Sequence, residues 1–96
     1  MSRALLDETV LKFIDAKLSI EGRITSTEVI RAFGLGRQKI SSLFTQYRGL
    51  CPNNMHHDVS LRCYVRGDKF KAKLLTNKTP EDYLQAVEVI FGEQEG

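Results

Sequence analysis

The stretch TSTEVIRAFGLGRQKISSLFTQY, residues 25–47, decides the fold. It opens with a capping box, in which the Thr25 hydroxyl accepts from the amide of Glu28 and the Glu28 carboxylate reaches back to the Thr25 amide. The helix predicted from this box ends at Gly34, because glycine readily adopts the left-handed conformation that closes a helix. A second helix is predicted from Arg37 to about Tyr47. The stretch therefore predicts two short helices joined by a tight, glycine-containing turn.

The second of these helices has two different faces. Its apolar residues recur three and four positions apart and form one stripe that must be buried: Ile40, Leu43, Phe44 and Tyr47. The opposite stripe has no acidic residue and is rich in short or amide side chains: Arg37, Gln38, Ser41, Ser42, Thr45 and Gln46. We expect this polar stripe to be exposed.

A longer amphipathic helix precedes this unit, from about Arg3 to Ile20. Its apolar positions are Leu6, Val10, Phe13, Ile14 and Leu18. Its exposed polar face is predicted to contain Asp7, Glu8, Lys12, Asp15 and Lys17. Gly22 ends the helix, and a very short strand is possible at Arg23-Ile24.

A hairpin is predicted after the second helix of the pair. Its strands are Met55 to Asp58 and Arg62 to Val65, joined by a turn. The lysines at 69, 71 and 73 alternate with Phe70 and Ala72, which predicts an edge strand or an extended segment. This alternation is also common in an ordinary exposed edge that resists strand pairing.

A last helix begins at Thr79 as N-cap, with Pro80 in its first position and two acidic residues in its first turn. Its apolar stripe consists of Tyr83, Leu84, Val87, Ile90 and Phe91. We divide the chain into residues 1–78, the main domain, and residues 79–96, this helix with an acidic tail. The predicted fold class is α+β, mainly α: a winged helix-turn-helix of three helices and a hairpin wing, with an additional C-terminal helix.

Composition limits the chain to one domain, since 96 residues with 42% hydrophobic content can build one core. All fourteen lysines and arginines precede residue 79, together with seven of the twelve acidic residues. The main domain is therefore basic and suited to a polyanion, whereas the C-terminal segment is acidic. Early acidic residues and short apolar runs predict neither a signal peptide nor a membrane span, so we expect a cytoplasmic protein.

The two cysteines, Cys51 and Cys63, flank His56-His57 with a spacing that differs from the paired spacings of structural zinc. We therefore predict reduced thiols rather than a metal site, and no cofactor. The sequence also has no phosphate-binding glycine loop and no known nucleophile motif. These observations predict that the protein is not an enzyme.

The second helix of a helix-turn-helix enters the DNA major groove, where each base pair offers a distinct hydrogen-bonding pattern. The predicted base-contacting residues are Arg37, Gln38, Ser41, Ser42 and Thr45. The predicted phosphate-contacting residues are Thr25, Ser26, Thr27, Lys39, Arg48, His56, His57, Arg62, Lys69 and Lys71, with Lys73 beside them. A polar stripe on a helix is often only a solvated face, and the two histidines are compatible with plain hairpin surface.

Several residues together resemble a known family. They are Glu21-Gly22-Arg23-Ile24, Phe33-Gly34-Leu35, Gln38, Tyr47, Pro52-x-Asn54, Asp58, Tyr64 and Phe70. In order and approximate spacing they resemble the N-terminal winged helix-turn-helix of WYL-domain transcriptional regulators, including repressors found beside phage-defence islands. The resemblance covers roughly residues 10 to 73. It implies a homodimeric repressor that binds an inverted repeat in double-stranded DNA.

Those regulators continue into a ligand-sensing WYL domain, and this sequence stops at Gly96, so the resemblance predicts no small-molecule effector here. The C-terminal helix is instead predicted to dimerise through Tyr83, Leu84, Val87, Ile90 and Phe91, because its apolar stripe needs a surface to cover. Packing on its own domain is the alternative. A protein-interaction module that docks through this helix is the alternative to a DNA-binding regulator.

Overall fold

The structure is a computed structural model that describes residues 3–71, 74 and 79–91, with only the backbone of residues 3 and 91. The predicted α+β architecture, mainly helical, is confirmed. The helices are α1 (Arg3–Glu21), α2 (Ser26–Phe33), α3 (Arg37–Leu50) and α4 (Pro80–Phe91). The strands in the described part of the chain are β1 (Arg23–Ile24), β2 (Met55–Asp58) and β3 (Cys63–Arg66).

The local signals at the start and end of α2 are confirmed. Thr25 caps α2 in an extended conformation, and both halves of the capping box with Glu28 are formed. Gly34 closes the helix in the left-handed region at φ 69°, and its amide donates to the Ile30 carbonyl at 2.8 Å. The turn between α2 and α3 is therefore short, as the glycine pattern predicts.

Helix α3 extends slightly further than predicted, to Leu50. The helix passes through Gly49, and the amide of the next cap residue, Cys51, donates to the Tyr47 carbonyl at 2.8 Å. Cys51 is buried in the core, so this cap holds the end of α3 against the domain.

The sheet has three strands in the order β1-β3-β2, and both pairings are antiparallel. Strand β3 begins at Cys63 rather than at Arg62, because Arg62 adopts a left-handed conformation at φ 55° in the turn. The Asp58 carboxylate accepts from the Leu61 amide at 3.0 Å and closes the same turn.

Of the two predictions for the segment after the hairpin, an edge strand or an extended segment, the edge strand does not form over the described residues. Lys69 and Phe70 lie in a turn and an irregular stretch, and Lys71 pairs its backbone with the side chain of Asn54 instead of with a strand. Phe70 packs against the core as the alternation suggests. Lys73 lies outside the described residues.

The core is formed by the inward faces of α1, α2 and α3, with Val87 of α4 and Met55 of β2 at its margins. Helix α4 packs mainly along α1, where the Tyr83 hydroxyl donates to the Thr9 carbonyl at 2.8 Å. Thr79 caps α4 through a 3.2 Å bond from the Asp82 amide, as predicted.

The prediction that Asp15 lies on the exposed polar face of α1 was wrong. Asp15 is completely buried. One of its carboxylate oxygens accepts from the Tyr47 hydroxyl at 2.5 Å, and the other accepts from the Leu74 amide at 3.2 Å. Burial of this carboxylate is possible because both oxygens have hydrogen-bond donors.

Candidate nucleic-acid interface

The predicted two-faced character of α3 is confirmed by burial. The apolar stripe of Ile40, Leu43, Phe44 and Tyr47 is buried in the core. The residues of the opposite face are all exposed: Arg37, Gln38, Ser41, Ser42, Thr45 and Gln46. No described part of the chain covers this face, so α3 offers a complete polar surface free of acidic side chains.

A ladder of rings joins α3 to the hairpin. Phe44 stacks on Tyr64 of β3 with ring centroids 4.8 Å apart, and His57 of β2 packs against Tyr64 in a T-shaped arrangement with centroids 5.2 Å apart. Aromatic pairs in these geometries stabilise a contact by about 0.5–1.5 kcal/mol beyond the apolar area that they bury. The ladder therefore fixes the hairpin beside α3, where a wing lies in a winged helix-turn-helix.

The two histidines of β2 point to opposite sides of the sheet. His57 pairs with Tyr64 and His56 with Val65, and successive residues of a strand alternate between faces. Both side chains are exposed. A phosphate contact shared by the two histidines, as predicted, would therefore require the DNA to reach both faces of the sheet. A single DNA strand that lies against the Tyr64 face cannot do this.

Most of the predicted cationic phosphate contacts are exposed: Arg48, Arg62, Lys69 and Lys71. Lys39 differs, because its ammonium lies 2.9 Å from one carboxylate oxygen of Asp7 and 3.0 Å from the other. The Thr25 hydroxyl is also engaged, in the capping box. Of the three residues at the start of α2, Thr27 is the exposed one, and Ser26 is half-buried.

Two acidic side chains of the main domain, Asp7 and Glu28, are paired with cations, and a third, Asp15, is buried. Asp7 pairs with Lys39, and Glu28 lies 3.3 Å from the ammonium of Lys17. Pairing removes the repulsion that these carboxylates would exert on an approaching anion. The exposed residues of α3 itself include the cations Arg37 and Arg48 and no carboxylate.

The tip of the wing is apolar, which the sequence patterns did not predict. Val59 is 79% exposed and Leu61 is 57% exposed. Arg62 follows them in its left-handed conformation. The tip thus exposes two apolar side chains and one cation.

The residues predicted to dimerise lie at different depths. Tyr83 and Leu84 are half-buried against the core of the same chain and Val87 is buried in it. Ile90 remains 64% exposed, and its neighbour Val89, which was not predicted, is 70% exposed. The side chain of Phe91 lies outside the described residues. Among the described residues, the apolar surface that α4 leaves exposed is therefore at its C-terminal end.

Both cysteines are buried, Cys51 within the core and Cys63 at the start of β3. Over the described residues, no three metal-ligating side chains come together in a way that could hold a metal ion. Within the same ranges, no helix has the length and apolar character needed to cross a membrane.

The helix pair, the hairpin beside α3 and the short strand β1 together define a winged helix-turn-helix domain. Residues 7–89 match the family described as the BrxR transcriptional regulator winged helix-turn-helix domain, and the chain belongs to that family. The chain also resembles two DNA-binding transcriptional repressors named CapW. It is 30% identical over 91 residues to the one from Escherichia coli strain KTE188, and 31% identical over 77 residues to the one from Pseudomonas aeruginosa.

These matches include 88% and 80% of this chain, but only 30% and 25% of the two CapW proteins. The chain therefore spans less than a third of the length of the curated relatives it matches. The likeness to WYL-domain regulators, inferred from scattered residues, is confirmed.

Proposed function

We propose that this chain binds double-stranded DNA sequence-specifically through α3 and acts as a transcriptional repressor. The observation that carries the proposal is the exposed, acid-free polar face of α3, backed by a fully buried apolar stripe. The name of the CapW relatives, DNA-binding transcriptional repressor, supports the same function. The protein acts by binding, without catalysis.

The chemistry of the exposed face fits the major groove. Arg37 can donate two parallel hydrogen bonds to guanine, and Gln38 can pair with adenine through its amide. Ser41, Ser42 and Thr45 are short, so they let the helix axis come close to the base edges. The exposed cations Arg48, Lys69 and Lys71 then contact phosphates, which hold the helix in register without reading sequence.

Selection from a pool of random DNA duplexes tests this function. The wild-type chain is expected to retain one sequence family, with an affinity that falls steeply as salt rises. Arg37→Ala and Gln38→Ala are each expected to cost about 1–3 kcal/mol for that sequence and to relax the preference at one base position. Arg31→Ala, which removes an exposed cation from α2, is the matched control and should leave the selected sequence unchanged.

An absence of salt-dependent binding to any duplex would contradict the DNA-binding function. Equal losses for Arg37→Ala and Arg31→Ala would contradict the assignment of α3 as the reading element, because they would show that only net charge matters.

We further propose that the protein binds an inverted repeat as a homodimer. One winged domain covers little DNA, and two half-sites a helical turn apart supply the specificity that one lacks. The exposed end of α4 at Val89 and Ile90 supplies apolar surface for the contact. Sedimentation of the Val89→Ser variant measures this, because its dimer should dissociate. The control is Val59→Ser, at a similarly exposed valine on the wing, which should sediment as the wild type does.

The same end of α4 favours a second candidate function, a protein-interaction module. Glu88 is exposed beside Val89 and Ile90, so a partner at this end of the helix would combine an apolar centre with a basic group. The two functions are distinguished by salt and by mutation. Binding that depends on Val89 and is insensitive to Arg37→Ala supports the interaction module.

A further inference from the structure

Asn54 clamps the backbone of Lys71. Its side-chain amide donates to the Lys71 carbonyl at 2.7 Å, and its carbonyl oxygen accepts from the Lys71 amide at 3.1 Å. Asn54 is 2% exposed, so water does not compete for these bonds. One side chain thus satisfies both backbone groups of a residue seventeen positions later, as a neighbouring strand would.

The clamp is held in turn by α3 and α1. The same Asn54 nitrogen donates to the Tyr47 hydroxyl at 3.1 Å, and that hydroxyl donates to Asp15 at 2.5 Å. The second oxygen of Asp15 accepts from the Leu74 amide. Burial raises the pKa of the Tyr47 phenol, so it remains a hydrogen-bond donor over the whole physiological range.

A backbone contact reinforces the arrangement on the wing side. The Gly67 amide, just after β3, donates to the Asn54 carbonyl at 3.0 Å. A side chain at position 67 would collide with the backbone carbonyl of Asn53, so the two segments approach as closely as glycine allows. The segment that follows β3 is therefore joined to the loop after α3 by a backbone hydrogen bond as well as by close packing.

The result is an exposed lysine on a fixed backbone. The side chain of Lys71 is exposed, while its own amide and carbonyl are bound by a buried side chain that is attached to the DNA-reading helix through Tyr47. A cation on a rigid support loses less entropy on binding an anion than one on a free segment. Such a support would favour the binding of an anion without contacting the anion itself.

We propose that Asn54, with Tyr47 and Asp15 behind it, is a positioning residue that holds Lys71 for a phosphate contact alongside the DNA bound by α3. The inference rests on the proposed DNA-binding function and adds to it the residues that fix one phosphate contact. Asn54 acts through Lys71 and contacts no DNA itself.

A double-mutant cycle tests the inference in the full chain, with the duplex selected by the wild type as probe. Affinity falls as salt rises, so a plot of log affinity against log salt has a negative slope. In the wild-type background, Lys71→Ala should make this slope shallower by about 0.9, because one phosphate contact releases about that many counterions. The loss of affinity caused by Lys71→Ala should therefore be about eightfold larger at 0.1 M salt than at 1 M salt. In the Asn54→Leu background, which keeps charge and shape, Lys71→Ala should change affinity less than about twofold.

The control cation is Arg48, which is exposed on α3 and has no bond to Asn54 among the described contacts. Arg48→Ala should have the same effect in both backgrounds. If Asn54 only stabilises the fold, Lys71→Ala keeps its full effect in the Asn54→Leu background, and the inference is overturned. It is overturned equally if Lys71→Ala has no effect in the wild type while the wild type binds DNA.

A second pair of variants covers the case in which Asn54→Leu does not fold. Tyr47→Phe removes the hydroxyl that holds the Asn54 amide and should reduce the effect of Lys71→Ala. Tyr83→Phe removes a hydroxyl outside the clamp and should leave that effect at its wild-type size. Equal behaviour of the two variants would contradict the inference. Failure of the wild type to bind any duplex would instead refute the DNA-binding function itself.

Discussion

Replacement of Tyr47 by phenylalanine removes one oxygen from the centre of the domain. The ring is completely buried and keeps its packing. Its hydroxyl donates to the Asp15 carboxylate at 2.5 Å and accepts from the Asn54 amide at 3.1 Å. In the variant, one oxygen of a buried carboxylate and one amide hydrogen lose their partner together.

The cost follows from the two bonds. A hydrogen bond to a charged group contributes about 1.5–3 kcal/mol and a neutral one about 0.5–1.5 kcal/mol. Tyr47→Phe should therefore lower the free energy of unfolding by about 3 kcal/mol. For a domain of this size that corresponds to a decrease in Tm of roughly 10–25 °C.

Urea denaturation followed by circular dichroism measures the effect, with Tyr83→Phe as the matched control. Tyr83 also loses a hydroxyl, but its single bond is to the Thr9 carbonyl at a half-buried site, so the expected cost is about 1 kcal/mol. A loss below 1 kcal/mol for Tyr47→Phe, or equal losses in the two variants, would refute the reasoning that the buried chain of hydrogen bonds stabilises the fold.

Four further outcomes are expected. Thr25→Ala should cost about 1 kcal/mol in urea denaturation because the capping box is lost, and an unchanged midpoint would argue against it. Leu43→Ala should cost about 2–5 kcal/mol at its buried site, and a cost below 1 kcal/mol would show that the core can collapse around it. Gly67→Ala should broaden or shift the amide NMR resonances of Asn53 and Asn54, because the new Cβ would collide with the Asn53 carbonyl. Unchanged resonances would disprove the collision. Burial raises the pKa of Tyr83 to about 12. The folded state then keeps a proton that the unfolded state loses near pH 10. The free energy of unfolding, measured in urea, should therefore decrease as pH rises from 10 towards 12, and it should decrease less steeply in Tyr83→Phe.

The parts of the fold that depend on near neighbours in sequence were predictable. The capping box at Thr25 and the left-handed Gly34 are fixed by contacts within a few residues, and both formed as expected. The two faces of α3 follow from helical spacing alone. For the candidate interface, spacing was therefore enough to identify which side chains would be exposed.

Features that depend on a distant partner were not predictable. Asp15 has the spacing of an exposed residue, and only the arrival of Tyr47 and Leu74 makes its burial favourable. Lys39 looks like any other cation of α3 until Asp7 of α1 is placed beside it. Strand β3 starts one residue later than predicted, because Arg62 adopts a left-handed conformation that is rare for a residue with a side chain.

The two paired helices begin in opposite ways. Helix α2 has a complete side-chain cap, whereas α3 starts after Gly36, which has no side chain to accept from the first amides, and it has no acidic residue in its first turn. The positive end of the α3 dipole and the charge of Arg37 are left together there, which weakens the first turn of an isolated helix. A side chain at position 36 that accepts from these amides would strengthen the first turn of α3, as Thr25 does for α2.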